Sequence, residues 1–366
     1  MLLKKSSNNT KKKLILHIGM HKTGSTAIQA SLHASRKHLL GHGINYLDKV
    51  RMNHSTTFVS LFGDDPHKYH INVQSGINTP ERAEKHNRSL RKIVSGEFAD
   101  NECEKFVVSG EGLSILSLEG VKKLKNYIGN YFSDVRVVFY ARRPLEFYKS
   151  MCQQYIVGGR TLEQLKSNPP LPEYRFRLEK YLTTFGEDSV TVRLFDRDQL
   201  FNGDVVSDFL KILGLDSGSI EKIKKVQTNE SVSDSAIRVI NRINEKYPAF
   251  IDNSTNPERG AFIRKAFVLA AEKSLDSKFE IPCFYGDEYL SVVNEDIDWI
   301  NQYMDHGQFV EKITKKELAS SGGELPNDIV SLDFVAELVN ELQNVSERRM
   351  AKIEGLERKL SRKGLI

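Results

Sequence analysis

The chain has 366 residues, 39% hydrophobic and 28% charged, with a formal net charge of +5, values that suit a soluble globular protein. So mild a positive excess is not the footprint of a nucleic-acid binder; it suits an anionic ligand and equally an ordinary basic surface. Three cysteines give neither a disulfide framework nor metal-ligand spacing, and ten scattered histidines form no H-E-x-x-H, so no metal is expected.

The opening "MLLKKSSNNTKKK" is basic but has no apolar core of a secretory signal, and residues 1–12 read as a disordered arm. No run of about 18 apolar residues occurs anywhere, so no integral membrane segment is expected and a cytoplasmic location follows. "LILHIG" (14–19) reads as a buried strand. "AIQASLHASRKHLL" (27–40) reads as a helix with Ile28, Leu32 and Ser35 on one face, stopped by Gly41 and Gly43. "INYL" (44–47) is a second short strand. Residues 51–102 are polar and irregular, with a helix expected around 80–97.

"KFVVSGE" (105–111) is a strand followed by a turn, and "EGVKKLKNYIGNYF" (119–132) has Val121, Leu124, Ile128 and Tyr131 at helical spacing. "VRVVFYARRP" (135–144) is a buried-type strand closed by proline, with a helix expected through Ser150 to about Ile156. "LEKYLTTFG" (178–186), "SVTVRLF" (189–195) and "DVVSDFLKILG" (204–214) read as helix, strand and helix. This alternation argues for an α/β fold, a parallel sheet flanked by helices. From about 230 onward strand signals fade into helical patterns. A linker at 323–330 leads to a charged helical tail over 333–361. In it Val335, Leu338, Leu342 and Val345 have heptad-like spacing that slips before Ile353, Leu356 and Leu360. Two readings stand: a helix packed on its own domain, or a short coiled coil forming a homodimer.

The chemistry concentrates in "HIGMHKTGSTAIQ" (17–29). A strand, a glycine turn and a helix start make an anion site, because the first helical turn offers free N–H groups at the positive end of the dipole. Lys22 adds a point charge, Ser25 and Thr26 add hydroxyl donors, and Gly19 and Gly24 permit turns closed to other residues. G-x-x-x-x-G-K-[ST] is absent, since Lys22 precedes Gly24, and no clear aspartate offers to hold Mg²⁺. A ligand without a γ-phosphate, handled without a metal, fits better than a nucleoside triphosphate.

This stretch resembles the 5′-phosphosulfate loop of sulfotransferases that use 3′-phosphoadenosine 5′-phosphosulfate (PAPS), closest to bacterial carbohydrate O-sulfotransferases. The family's K-[ST]-G-[ST]-T core is matched by Lys22, Thr23, Gly24, Ser25 and Thr26. In the family a strand ends in an arginine, with proline two residues on and serine eight residues after the arginine, and the arginine and serine hold the 3′-phosphate. "ARRPLEFYKS" supplies Arg142, Pro144 and Ser150 at that spacing; Arg143 is the neighbouring alternative. The resemblance covers roughly 13–310, loosely outside these motifs, and "RLFDRDQLFNGDVVSDFLKILGL" and "NESVSDSAIRVINRIN" are weaker echoes. It implies a P-loop-NTPase-like sulfotransferase domain over 13–310, with a linker and helical tail over 311–366. It also implies PAPS as co-substrate and a glycan or glycolipid acceptor. The glycine-rich segment that covers adenine in cytosolic animal enzymes is missing, so adenine contacts stay unassigned.

Lys22 is then placed to meet charge on the leaving oxygen, and a base must take the acceptor's proton. Glu111, in "VVSGEGLS", is similar to the family's Ser-x-Glu base, but equally reads as a helix-capping glutamate. His21, inside the loop, is the rival base. His17 reads as a buried structural residue, and His54 as either an acceptor contact or a solvated loop histidine. Competing functions are a nucleotide-dependent kinase on a related fold and a non-catalytic binding or assembly protein that keeps the fold.

Overall fold

A computed structural model describes residues 12–99, 103–226, 233–248, 250–251, 254–255, 279, 281, 283–305 and 307–320, with scattered positions between 335 and 352. The chain divides into two compact units. The first holds residues 1–143, 172–228 and 291–312; the second holds 144–171, 229–290 and 313–366. Of the expected N-terminal arm, only Lys12 lies within the described residues.

The first unit is built on a five-stranded parallel sheet in the order β2-β3-β1-β4-β5. Its strands are β1 (Lys13–His17), β2 (Ile44–Tyr46), β3 (Lys105–Ser109), β4 (Asp134–Ala141) and β5 (Val190–Leu194). In β1 every residue after Lys13 is buried, as a central strand covered on both faces requires. The connection from β1 runs to one side of the sheet and that from β3 to the other. The loops leaving the carboxyl ends of β1, β3 and β4 therefore converge, the position where open α/β sheets form a crevice.

Helices α1 (Ser25–Ala34) and α2 (Arg36–Gly41) link β1 to β2. The single helix expected over 27–40 is broken at Ser35, which leaves the helical region and whose hydroxyl accepts the Lys224 N–H at 3.1 Å. Between β2 and β3 come α3 (Ser55–Phe62), α4 (His70–Gln74) and α5 (Pro80–Ala99), so most of the segment expected to be irregular is helical. Its sequence "STTFVSLF" has weak helix propensity, but Phe58, Leu61 and Phe62 are buried, and packing overrides propensity. Then α6 (Leu118–Ile128), with Val121, Leu124 and Ile128 buried, precedes β4.

The chain next enters the second unit through α7 (Pro144–Gly158) and α8 (Leu162–Ser167). It returns with α9 (Tyr174–Phe185), β5, α10 (Val205–Ile212) and α11 (Ser217–Glu221). In the second unit α12 (Asp234–Lys246) packs on α7, and Asn244 Nδ2 donates to the carbonyls of Ile156 at 2.8 Å and Arg160 at 2.6 Å, satisfying the end of α7. A two-residue strand pair, β6 (Phe250–Ile251) with β7 (Ser254–Thr255), follows in the region where strand signals fade. Helix α13 (Asp287–Ile300) belongs to the first unit from Ser291 onward, and α14 (Lys315–Ser320) lies in the second. In the tail, the described positions Val335, Leu338 and Leu342 are helical.

One buried polar cluster ties β4, β5 and α10 together. Arg193 grips Asp208 with two bonds of 2.7 Å and reaches Asp305 at 2.8 Å; Tyr140 Oη and the Phe201 N–H also donate to Asp208. Removing the carboxylate strands a guanidinium that is largely out of water. Asp208→Ala should therefore destabilise the protein by about 3–5 kcal/mol. Urea denaturation reads this loss, and Asp208→Asn should lose less.

Candidate functional site: a glycine loop at the sheet's carboxyl edge

The loop leaves β1 by continuing along β4: Ile18 N–H donates to Val138 O at 3.0 Å and Met20 N–H to Tyr140 O at 3.1 Å. It then reverses through two left-handed residues, Lys22 at φ 65° and Gly24 at φ 73°. A side chain at Gly24 would begin 2.7 Å from Val205 Cγ1, so only glycine fits both the angle and the space. Lys22 takes the same region with a side chain, at a cost of about 1–2 kcal/mol. Gly24 is the N-cap of α1 and no acidic residue occupies the first turn. Ile28 N–H donates to Gly24 O at 3.0 Å, which starts the helical ladder at the N-cap.

The hydroxyls in the motif divide between two tasks. Thr23 is fully buried and its Oγ1 donates to Met20 O at 2.7 Å; Ser25 is buried and its Oγ points to the same carbonyl at 3.4 Å. Both close the loop on itself. Thr26 is exposed in the first turn.

At the end of β4 the two arginines differ. Arg143 is held by Asp196 at 3.0 Å and by Glu311. Arg142 turns to the loop, where its Nη1 donates to the Lys22 carbonyl at 2.5 Å and its guanidinium lies 5.5 Å from the Phe195 ring centroid. Ser150 lies on α7, in the second unit, half-buried. The first unit thus brings Lys22, Thr23, Gly24, Ser25, Thr26, Arg142, Glu111 and His21 to one edge.

Glu111 follows β3 and begins a short 3-10 turn, yet its carboxylate caps no helix. Gln29 Nε2 donates to Oε2 at 3.0 Å, and Asn53 Nδ2 donates to Oε1 at 2.9 Å. Asn53 is fixed in turn by accepting the Ser55 N–H at 2.9 Å. A side chain at Gly19 would begin 3.0 Å from the Cα and Cβ of Glu111, so this residue packs directly against the loop. Gln29, Asn53 and Arg177 are absent from the sequence reading. A glutamine between Ile28 and Leu32 on the buried face of α1 is the one signal available, because a polar side chain there requires a partner. Arg177 is 7% exposed, donates its Nε to Pro172 O at 2.8 Å, and is close enough to His21 to oppose its protonation.

Burial favours the neutral form of His21, His17 and His54. His21 is driven down to about 4 by burial and then by Arg177, against the pull of Glu111. Burial also lowers His17 to about 4, again opposed by Glu111, and the ring shares a 2.8 Å hydrogen bond with Ser109 Oγ. His54 is fully buried, not a solvated loop histidine, and burial lowers it to about 4. Its Nδ1 accepts the Ser109 N–H at 3.1 Å, which leaves Nε2 as the donor to Leu47 O, also at 3.1 Å. Among the described residues there is no group of three His, Cys, Asp or Glu able to hold a metal, and no helix long and apolar enough to cross a membrane.

No family model matches the chain. A curated relative, an uncharacterized protein of Archaeoglobus fulgidus, is 28% identical over 142 residues, which is 38% of this chain and 38% of the relative. The match spans well under two thirds of that protein's length. A solved structure from the PezAT chromosomal toxin-antitoxin system of Streptococcus pneumoniae aligns with 64% of this chain and 84% of its own, at 15% identity and a TM-score of 0.30.

Two outcomes follow from this geometry. Gly24→Ala should cost about 1–3 kcal/mol, read by chemical denaturation, because the angle and Val205 both exclude a methyl group. His17 and His54 stay neutral in the fold down to about pH 4, whereas the unfolded chain protonates them below about 6.5. Their contribution is complete above 6.5 and is lost on acidification toward 4, a few kcal/mol for each. Urea midpoints measured across that window should fall with pH, and His54→Gln, which cannot titrate, should flatten the slope.

Proposed function

We propose that the protein is a sulfotransferase that moves the sulfuryl group of PAPS to a hydroxyl of a carbohydrate or glycolipid acceptor. The observation that carries the reading is the meeting of Arg142 with the Lys22 carbonyl, which joins two motifs 120 residues apart at one crevice. In this reading the loop from Gly19 to Thr26 takes the 5′-phosphosulfate, and Arg142 takes the 3′-phosphate. Such a nucleotide carries its negative charge at two points, and the first unit brings Lys22, Arg142 and the N-terminal turn of α1 to one edge.

The acceptor oxygen attacks sulfur as the bond from sulfur to the bridging phosphate oxygen breaks. Lys22 stabilises charge on the departing adenosine 3′,5′-bisphosphate, and the acceptor's proton passes to a base. Glu111 suits that task better than His21. Its carboxylate is oriented by two amides instead of capping a helix, and it packs against Gly19. Protonation of His21 is opposed by burial and by Arg177 and Lys22.

Calorimetry should show adenosine 3′,5′-bisphosphate binding without magnesium; magnesium-dependent ATP turnover in its place would make the protein a kinase. Labelled PAPS supplied to extracts of the source organism, with and without the protein, identifies the acceptor. Lys22→Ala should lower label transfer by about 10²–10³-fold. Undiminished transfer would remove Lys22 from its role. Glu111→Gln should lower kcat while leaving nucleotide affinity in place, and binding without any transfer in the unaltered protein would favour a binding module.

A further inference from the structure

Arg142 does more in this structure than wait for a distant phosphate. Its Nη1 bonds the backbone carbonyl of Lys22, the residue that holds a left-handed conformation despite carrying a side chain. A non-glycine residue keeps that conformation only where its surroundings fix it. Around Lys22 the fixing contacts can be named. Thr23 and Ser25 close the loop on Met20 O, Gly24 packs on Val205, and Arg142 holds the carbonyl at the turn itself.

The guanidinium is itself preset. It lies on the ring of Phe195, and a side chain at Gly24 would begin 3.4 Å from the same ring, so Phe195 supports the arginine and the loop together. The backbone of Arg142 is anchored as well, its carbonyl accepting from Tyr174 Oη while the Tyr174 N–H donates to Asp296 at 2.6 Å.

We infer that Arg142 is a positioning residue for the 5′-phosphate loop: it holds Lys22 in its left-handed turn through the backbone carbonyl. The two phosphate-binding elements are then one mechanical unit. Loss of Arg142 should weaken binding of nucleotides that have no 3′-phosphate at all. This rests on the sulfotransferase reading only for the identity of the full ligand; the loop effect stands without it.

The test uses the full chain, with adenosine 5′-monophosphate and adenosine 3′,5′-bisphosphate as separate calorimetric probes. Arg142→Met keeps an apolar stem beside Phe195 but removes every donor. It should weaken the monophosphate by about fivefold or more and the bisphosphate by considerably more. Phe195→Leu, which leaves Arg142 in place without its ring, should weaken the monophosphate in the same direction. Hydrogen exchange on the ligand-free protein supplies a readout that a simple loss of positive charge does not move: amides in residues 18–28 should exchange faster in Arg142→Met. Unchanged exchange in that segment, or monophosphate affinity within about twofold of the unaltered protein in both variants, overturns the inference. Failure of the unaltered protein to bind the bisphosphate would instead overturn the functional reading, and the exchange result would still decide the role of Arg142.

Discussion

The turn between β1 and α1 can close in one way only, because Gly24 meets Val205 with no room for a methyl group and bends through an angle that few other residues tolerate. That constraint sets where α1 begins, and so where its N-terminal turn points. It also brings Lys22 to the position where the end of β4 delivers Arg142. Val205 and Phe195, the residues against which Gly24 packs, come from α10 and from just beyond β5. The loop's shape is therefore a property of the far edge of the sheet as much as of the loop's own sequence.

Charge around the edge follows a consistent pattern. Arg142 faces the loop, while Arg143 one residue later is neutralised by Asp196 and Glu311. Three histidines near the site or beneath it are neutral, two of them locked by hydrogen bonds to the strand and loop backbone or to Ser109. Glu111 packs its carboxylate-bearing side chain against the loop at Gly19, and amide groups hold it in place. Neighbours that donate without carrying charge leave the carboxylate oriented and the field of the loop cationic.

Strand and helix periodicity made the parallel sheet readable, because each central strand is a short apolar run bounded by glycine, proline or charge. The glycine loop was readable from residue type and spacing, since few sequences place Lys, Thr and Ser around a glycine after a buried strand. Arg142 was marked only by the family resemblance, through its offset from Ser150; by its own neighbourhood it reads as half of a surface basic pair. The positions that orient Glu111 were not. Asn53 lies in a segment whose polar composition conceals two buried helix faces, and Gln29 is one polar residue in an apolar stripe. Their roles come from pairings over 58 and 82 residues of chain, which no local pattern encodes. Ser35 misled for a related reason: nothing nearby in the sequence reveals that Lys224 will bond its hydroxyl and end the helix there.

The order in which the units alternate along the chain has a practical meaning. The first unit is assembled from three stretches and the second from three others, interleaved. A polypeptide emerging from the ribosome would expose β1, β3 and β4 well before β5 is made, leaving the β4 edge of the sheet open while residues 144–171 are synthesised. It follows that neither unit can be excised by a single cut at each end. A fragment stopping at residue 143 would lack β5, Val205 and Phe195, and with them the surface that shapes the glycine turn.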